Sequence, residues 1–111
     1  MARKVVIIDD EQDLCLLIKS FLLQRDLLVF TAHSLVDGLK MIRDIVPDIL
    51  IMDNNLPDGS GWDNLNLVRG IIPNCKIILI SAFNAKFPSL VKDVSILEKP
   101  VSLLKLQTYI A

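Results

Sequence analysis

Short apolar runs rich in β-branched residues alternate along the chain with patterns of helical period. Val5–Ile8, Leu28–Thr31, Ile49–Met52 and Lys76–Ile80 have the length and residue types of strands. None of them alternates apolar with polar positions. This predicts strands buried on both faces, as in a parallel sheet. Ser95–Leu97 is a fifth, weaker run. Between the first two runs, Leu14, Leu17, Ile18, Phe21 and Leu22 recur at helical spacing, predicting a helix over about residues 11–24 with these side chains inward. A second helix opens at Ser34, with Asp37 in the capping-box position. It buries Leu35, Leu39 and Ile42 and ends before Pro47. A third starts near Gly61, buries Leu65 and Val68, and stops by Gly70 or Pro73. The last begins about Ser102 and turns Leu103, Leu106 and Ile110 inward. Alternating strands and helices with buried strands predict a single doubly wound α/β domain over residues 1–111.

In such sheets the chemistry lies beyond the carboxyl ends of the strands. Asp9-Asp10-Glu11 follows the first run, Asp53 the third, Ser81 the fourth and Lys99-Pro100 the fifth. The fold therefore gathers carboxylates, a hydroxyl and an ammonium on one rim. Two carboxylates about 4 Å apart repel by about 4 kcal/mol at an effective dielectric of 20. A hard divalent cation removes that penalty, and Mg²⁺ takes one or two carboxylates together with waters and phosphate oxygens. A carboxylate such as Asp53 can carry a phosphoryl group covalently. Ser81 and Lys99 would then offer a hydrogen bond and a positive charge to its oxygens. Each residue also has a bland reading. The acidic triplet suits a helix N-terminus, Asp53 suits a turn cap, Ser81 a strand end and Lys99 the surface. It is their coincidence on one rim that favours chemistry.

Composition narrows the class. Hydrophobic residues make up 52% and charged residues 23%, and the mean hydropathy is +0.50, which excludes a disordered chain. Apolar runs such as Leu14–Ile18 fall short of the roughly 18 residues a membrane helix needs. Val5–Ile8 is cut off at once by the acidic triplet, so no secretory signal is expected and a cytoplasmic location follows. A net charge of -1, from 12 basic and 13 acidic residues, gives no sign of a nucleic-acid or membrane surface. Cys15 and Cys75 are isolated and read as reduced, mostly buried thiols. His33 reads as structural or incidental, and Trp62 as partial packing at the head of the third helix. Tyr109 suits either the core or an interface.

Four stretches occur together and in order: Val-Val-Ile-Ile-Asp-Asp-Glu (5–11), Asp-Asn-Asn-Leu-Pro-Asp-Gly-Ser-Gly (53–61), Ile-Leu-Ile-Ser-Ala (78–82) and Glu-Lys-Pro (98–100). In these the sequence resembles the receiver domains of two-component response regulators. The resemblance implies a CheY-like, flavodoxin-like five-stranded parallel sheet of order 2-1-3-4-5. It implies that Asp53 is the phosphoacceptor, Asp10 a direct Mg²⁺ ligand and Asp9 its water-linked partner. The backbone carbonyl of Asn55 would be the third protein ligand. Ser81 takes the hydroxyl position and Lys99 the lysine position, while Pro57 and Gly61 shape the loop after the acceptor. Asn55 and Phe83 stand where family members tune hydrolysis of the acyl phosphate. The implied partners are a sensor histidine kinase or phosphotransfer protein, with a downstream effector or a homodimer on the output side. No turnover of an outside substrate is implied, only phosphoryl transfer onto the protein itself and loss to water.

Three departures stand out. Asn54 occupies a usually apolar position, and Ile96 stands where the family has an aromatic switch residue. Only residues 82–94, broken by Pro88, separate strands four and five. The fourth helix should therefore be about a turn shorter than usual, over Ser89–Asp93. The readout is then expected to be a change of order in residues 82–94. Two other functions compete with a phosphorylated receiver. One is a receiver-like interaction module that works without phosphorylation. The other is a flavin carrier, which Asp9-Asp10-Glu11 disfavours because it would repel a flavin phosphate where a hydroxyl- or glycine-rich loop is needed.

Overall fold

The computed structural model describes residues 2–82, 85–87 and 93–111. In chain order the elements are β1 (Lys4–Ile8), α1 (Gln12–Leu23), β2 (Leu28–Ala32), α2 (Leu35–Ile45), β3 (Ile49–Asp53), β4 (Asn55–Leu56), β5 (Gly59–Ser60), a single 3₁₀ turn (Trp62–Asn64), α3 (Leu65–Ile71), β6 (Lys76–Ser81), β7 (Val94–Glu98) and α4 (Leu103–Ile110). Five strands pair in parallel in the order β2-β1-β3-β6-β7. This is the 2-1-3-4-5 arrangement once the small antiparallel pair β4–β5 is set aside.

The unbroken apolar runs follow from this placement. Successive side chains in a strand point to opposite faces, so a strand covered on both sides must be apolar throughout. All five residues of β3 are buried. Val5, Ile7, Ile51, Ile78 and Ile80 pack with Cys15, Ile18 and Leu22 of α1 and with Leu106 and Ile110 of α4. Val6, Ile8, Leu50, Met52, Ile77 and Leu79 pack with Leu35 and Ile42 of α2 and with Leu65 and Val68 of α3.

Two expectations need correction. β2 is an edge strand and is not buried on both faces: Leu28 is 48% and Phe30 36% exposed. The inward stripe of α1 is Cys15, Ile18 and Leu22, with Leu14 and Phe21 on its flanks. Leu17 is 52% exposed because it lies roughly 200° around the helix from Cys15. Cys15 and Cys75 are buried and unpaired, as expected. Phe83, Pro88 and most of the stretch expected to form the fourth helix lie outside the described residues, whereas Asp93 is a turn residue with φ 65° just before β7.

The start of α2 shows how the loop after β3 is tied to the rest. A helix leaves its first four N–H groups without partners of its own. Here Ser34 Oγ accepts from Asp37 N at 3.2 Å. Two more of these donors, Leu35 N and Val36 N, reach the carboxylate of Asp58 at 2.7 and 2.9 Å. Asp58 sits at the tip of the β4–β5 hairpin, so the hairpin and α2 are clasped together. The two N–H groups hold the Asp58 carboxyl below its ordinary value of 3.8. A depressed carboxyl stabilises the fold above the unfolded value, and that contribution is lost as pH falls through the folded one. Asp58→Ala should therefore melt at lower temperature than the parent at neutral pH. The gap should close once the pH drops below the ordinary carboxylate range, as followed by circular dichroism melts across pH. A gap that stays constant into acid would contradict the clasp.

Candidate functional site

Each rim residue is set by a backbone hydrogen bond between neighbouring strands. Asp9 N donates to Ala32 O at 3.0 Å, Asn54 N to Ile80 O at 2.8 Å and Lys99 N to Ser81 O at 2.8 Å. The strand ends are thereby brought level, and the expected residues meet. Asp9, Asp10 and Asp53 each present a carboxylate oxygen within 4.8 Å of the others. Lys99 Nζ lies 3.3 Å from Asp53 Oδ2 and 3.6 Å from Glu11 Oε2. Asp9 is fully buried, Asp53 is 2% and Ser81 1% exposed, while Asp10 faces solvent. Asp53 Oδ1 accepts from Asn55 N at 3.1 Å, and Asp9 Oδ1 from Glu11 N at 2.8 Å. The Lys99–Pro100 peptide bond is cis.

The electrostatics single out Asp9. Burial, joined by the charges of Asp53 and Glu11, raises its carboxyl to about 6, against the opposing pull of the Glu11 N–H and of Lys99. Burial draws the Lys99 ammonium down, but Asp53, Asp9 and Glu11 together raise it above its ordinary value, so it stays charged. Among the described residues, two buried side-chain atoms, Asp9 Oδ2 and Ser81 Oγ, have no hydrogen-bond partner. Orphaned groups of this kind are costly and call for an outside partner. A set of carboxylate oxygens with an unpartnered oxygen at its base fits a hard divalent cation. The Ser81 hydroxyl, at the end of the strand next to that of Asp53, fits a hydrogen-bond acceptor bound to that carboxylate.

The loop after Asp53 is held by contacts that sequence reasoning did not find. Gly61 N donates to Asn54 O at 2.9 Å, and Asn54 Oδ1 accepts from Trp62 N at 2.9 Å and from Ser60 Oγ at 3.1 Å. Between these bonds the β4–β5 hairpin closes with Pro57 and Asp58 at its turn, so Pro57 shapes the loop as expected. Gly61 acts differently. Its φ of -59° is open to any residue, but a Cβ there would lie 2.8 Å from Asp53 O. It is needed for close approach to the Asp53 backbone. Sequence reasoning put Glu11 on the rim within the acidic triplet but did not pair it with Lys99. It shares a helix N-terminus with Asp10 and reaches Lys99 only through the folded rim. Asn55 is exposed at the start of the hairpin, next to Asp53. His33 is half-buried, and its Nδ1–H donates to Asp9 O at 2.9 Å, which is the structural role expected. Burial raises the Cys15 thiol to about 11 and the Cys75 thiol to about 12, so both stay protonated at neutral pH.

Comparison with known proteins agrees with this geometry. A family model described as response regulator receiver domain matches residues 5–111. The chain belongs to this family. Among curated relatives, the receiver is 29% identical over 83 residues to the chemotaxis protein CheY of Thermotoga maritima, covering 74% of this chain and 69% of that one. It is 24% identical over 83 residues to the photosynthetic apparatus regulatory protein RegA of Cereibacter sphaeroides, covering 75% of this chain. The match spans 45% of the length of RegA. A crystal structure of a response regulator receiver protein from Sinorhizobium medicae superposes with a TM-score of 0.86 at 29% identity, covering 98% of this chain and 91% of that one. Among the described residues, no helix is long and apolar enough to cross a membrane.

The rise at Asp9 carries a stability consequence. A carboxyl raised from 3.8 to about 6 favours the fold below the unfolded value, and that advantage is lost as pH climbs through 6. At neutral pH the buried charge then costs on the order of 2–3 kcal/mol. In chelator, Asp9→Asn should melt above the parent at pH 7.5, and the difference should vanish near pH 4. Asp10, by contrast, is exposed to solvent. Asp10→Asn should therefore raise the melting temperature less than Asp9→Asn does.

Proposed function

We propose that this receiver accepts a phosphoryl group on Asp53 from the phosphohistidine of a sensor histidine kinase or phosphotransfer protein, in a Mg²⁺-dependent reaction. The observation that carries the reading is the environment of Asp53: a buried carboxylate in contact with Lys99, at the end of the strand next to the one that ends in the buried Ser81. Asp9, Asp10 and Asp53 would hold the metal with the backbone carbonyl of Asn55, Asp9 acting through water. When bound, Mg²⁺ supplies charge neutralisation for the carboxylates and for the oxygens of the transferring group.

The chain's own groups divide the remaining work. Asn55 N–H fixes Asp53 Oδ1 and Lys99 steadies Oδ2, so the carboxylate is oriented before the donor arrives. A carboxylate oxygen attacks phosphorus as the bond to the donor imidazole nitrogen breaks, and the bonding pair leaves with the imidazole. Ser81 O–H then donates to a phosphoryl oxygen, which gives the buried hydroxyl its partner. Lys99, shared between Asp53 and Glu11, offsets the added negative charge. Loss of the group to water restores Asp53, with the exposed Asn55 side chain beside the acyl phosphate to orient the water. The protein catalyses only these two events on itself and passes the signal to a partner.

Acetyl phosphate with Mg²⁺ should add the mass of one phosphoryl group to the intact protein, and Asp53→Asn should abolish the addition. Unmodified wild-type protein under these conditions would instead favour an interaction module that works without phosphorylation. Mg²⁺ at 100 times its Kd should stabilise the fold by about 2.7 kcal/mol. Asp9→Asn and Asp10→Asn should each blunt that gain in thermal melts. A wild-type melting curve indifferent to millimolar Mg²⁺ would remove the metal from the reading.

A further inference from the structure

Trp62 is the only tryptophan in the chain, and its ring stacks on Phe87 with centroids 4.4 Å apart and planes inclined by 24°. Both rings are half-buried and pack, with Val94, against the core layer beneath α2 and α3. The two residues come from different sides of the site. Trp62 ends the loop that leaves β3 at Asp53, and Phe87 lies on the connection that leaves β6 at Ser81.

The link from Asp53 to Trp62 has little slack. Asn54 Oδ1 holds Trp62 N, the Asn54 carbonyl holds Gly61 N, and Gly61 is pressed so close to Asp53 O that a Cβ has no room. A displacement at the acceptor's peptide must therefore appear at Trp62. On the other side, Ser81 is buried with its hydroxyl unpartnered. At Ile96, by contrast, a stiff β-branched side chain offers no ring to turn, and its carbonyl is engaged by the Tyr109 hydroxyl at 3.4 Å.

We propose that the Trp62–Phe87 stack is where this receiver reads the phosphorylation state of Asp53, and that Asn54 is the positioning residue that couples the two. The inference rests on Asp53 being the acceptor. A phosphoryl oxygen on Asp53 forms a short, charge-assisted hydrogen bond with Ser81 Oγ and so alters the separation of the two strand ends. Trp62 is tied to the Asp53 end, and its contact with Phe87 on the other connection registers the change. Aromatic pairs favour offset-stacked or edge-to-face arrangements, so such a shift resolves into a changed ring arrangement.

The test is the emission of Trp62, the chain's one tryptophan, with the Phe87 variants separating the stack from the rest of its surroundings. Beryllofluoride with Mg²⁺ mimics the phosphoryl group, and its binding is followed independently by fluorine NMR. In the wild type, bound beryllofluoride should shift the emission maximum and change quenching by acrylamide. Phe87→Leu should bind beryllofluoride yet lose the emission response, and Phe87→Tyr should keep it. Asn54→Leu, with folding checked by circular dichroism, should also bind beryllofluoride with a much reduced response. Bound beryllofluoride with silent Trp62 emission would overturn the proposal, as would a full response in Phe87→Leu. Absence of any bound fluorine resonance in the wild type would show that Asp53 is not the acceptor, and the proposal would fall with that reading.

Discussion

Three carboxylates brought within 4.8 Å of one another, with one ammonium in contact, are what the rest of this molecule has to support. Left free, the charges would part or draw in water. The carboxylates are held because they follow or end β1 and β3, each of which is paired with a strand on both sides. The backbone bonds from Asp9 to Ala32, from Asn54 to Ile80 and from Lys99 to Ser81 run across the same rim. The apolar interior therefore does more than stabilise. It supplies the rigidity that keeps mutually repelling groups at fixed positions, and burial strengthens every electrostatic contact among them. The raised carboxyl of Asp9 is the direct sign of that arrangement.

This arrangement also shows which parts of the molecule a sequence can announce. Val5–Ile8 and Ile49–Met52 are legible because a strand covered on both faces has to be apolar at every position. The rim residues were legible because topology alone sends strand ends to one side of the sheet. Leu28 and Phe30 misled for a physical reason: an edge strand keeps its β-forming residues while its outer face goes uncovered. Leu17 misled because the apolar band of α1 is wider than its contact with the sheet. Asp58, Asn54 and Glu11 were beyond reach in a different way. Each acts through a partner brought near only by the finished fold, as with Asp58 and the N–H of Val36, 22 residues away. No local pattern of polar and apolar positions encodes such a pair.

The loop after Asp53 illustrates a different economy. A short loop at a reactive site is usually kept in shape by packing, and the family's apolar residue after the acceptor suits that. Here the position is Asn54, and its carboxamide oxygen takes two donors that an apolar side chain would leave unpartnered. The loop is thus held by hydrogen bonds at its base, by the Asp58 clasp at its tip and by close contact at Gly61. Hydrogen bonds are directional where packing is not, so the hairpin is fixed in orientation as well as in position.

That difference bears on how a signal can leave the site. A loop held only by packing can absorb a small displacement by repacking around it. One pinned at base, tip and middle passes the displacement on, because bond directions must be kept. Next to this loop lies the contact between two half-buried rings, each rooted in a different strand connection, and the displacement reaches it through Trp62. Replacing the family's aromatic residue by Ile96 removes one place where movement could be expressed. The polar bracing by Asn54 concentrates it at another. Both departures from the family pattern point in the same direction, and it is the physics of the braced loop that connects them.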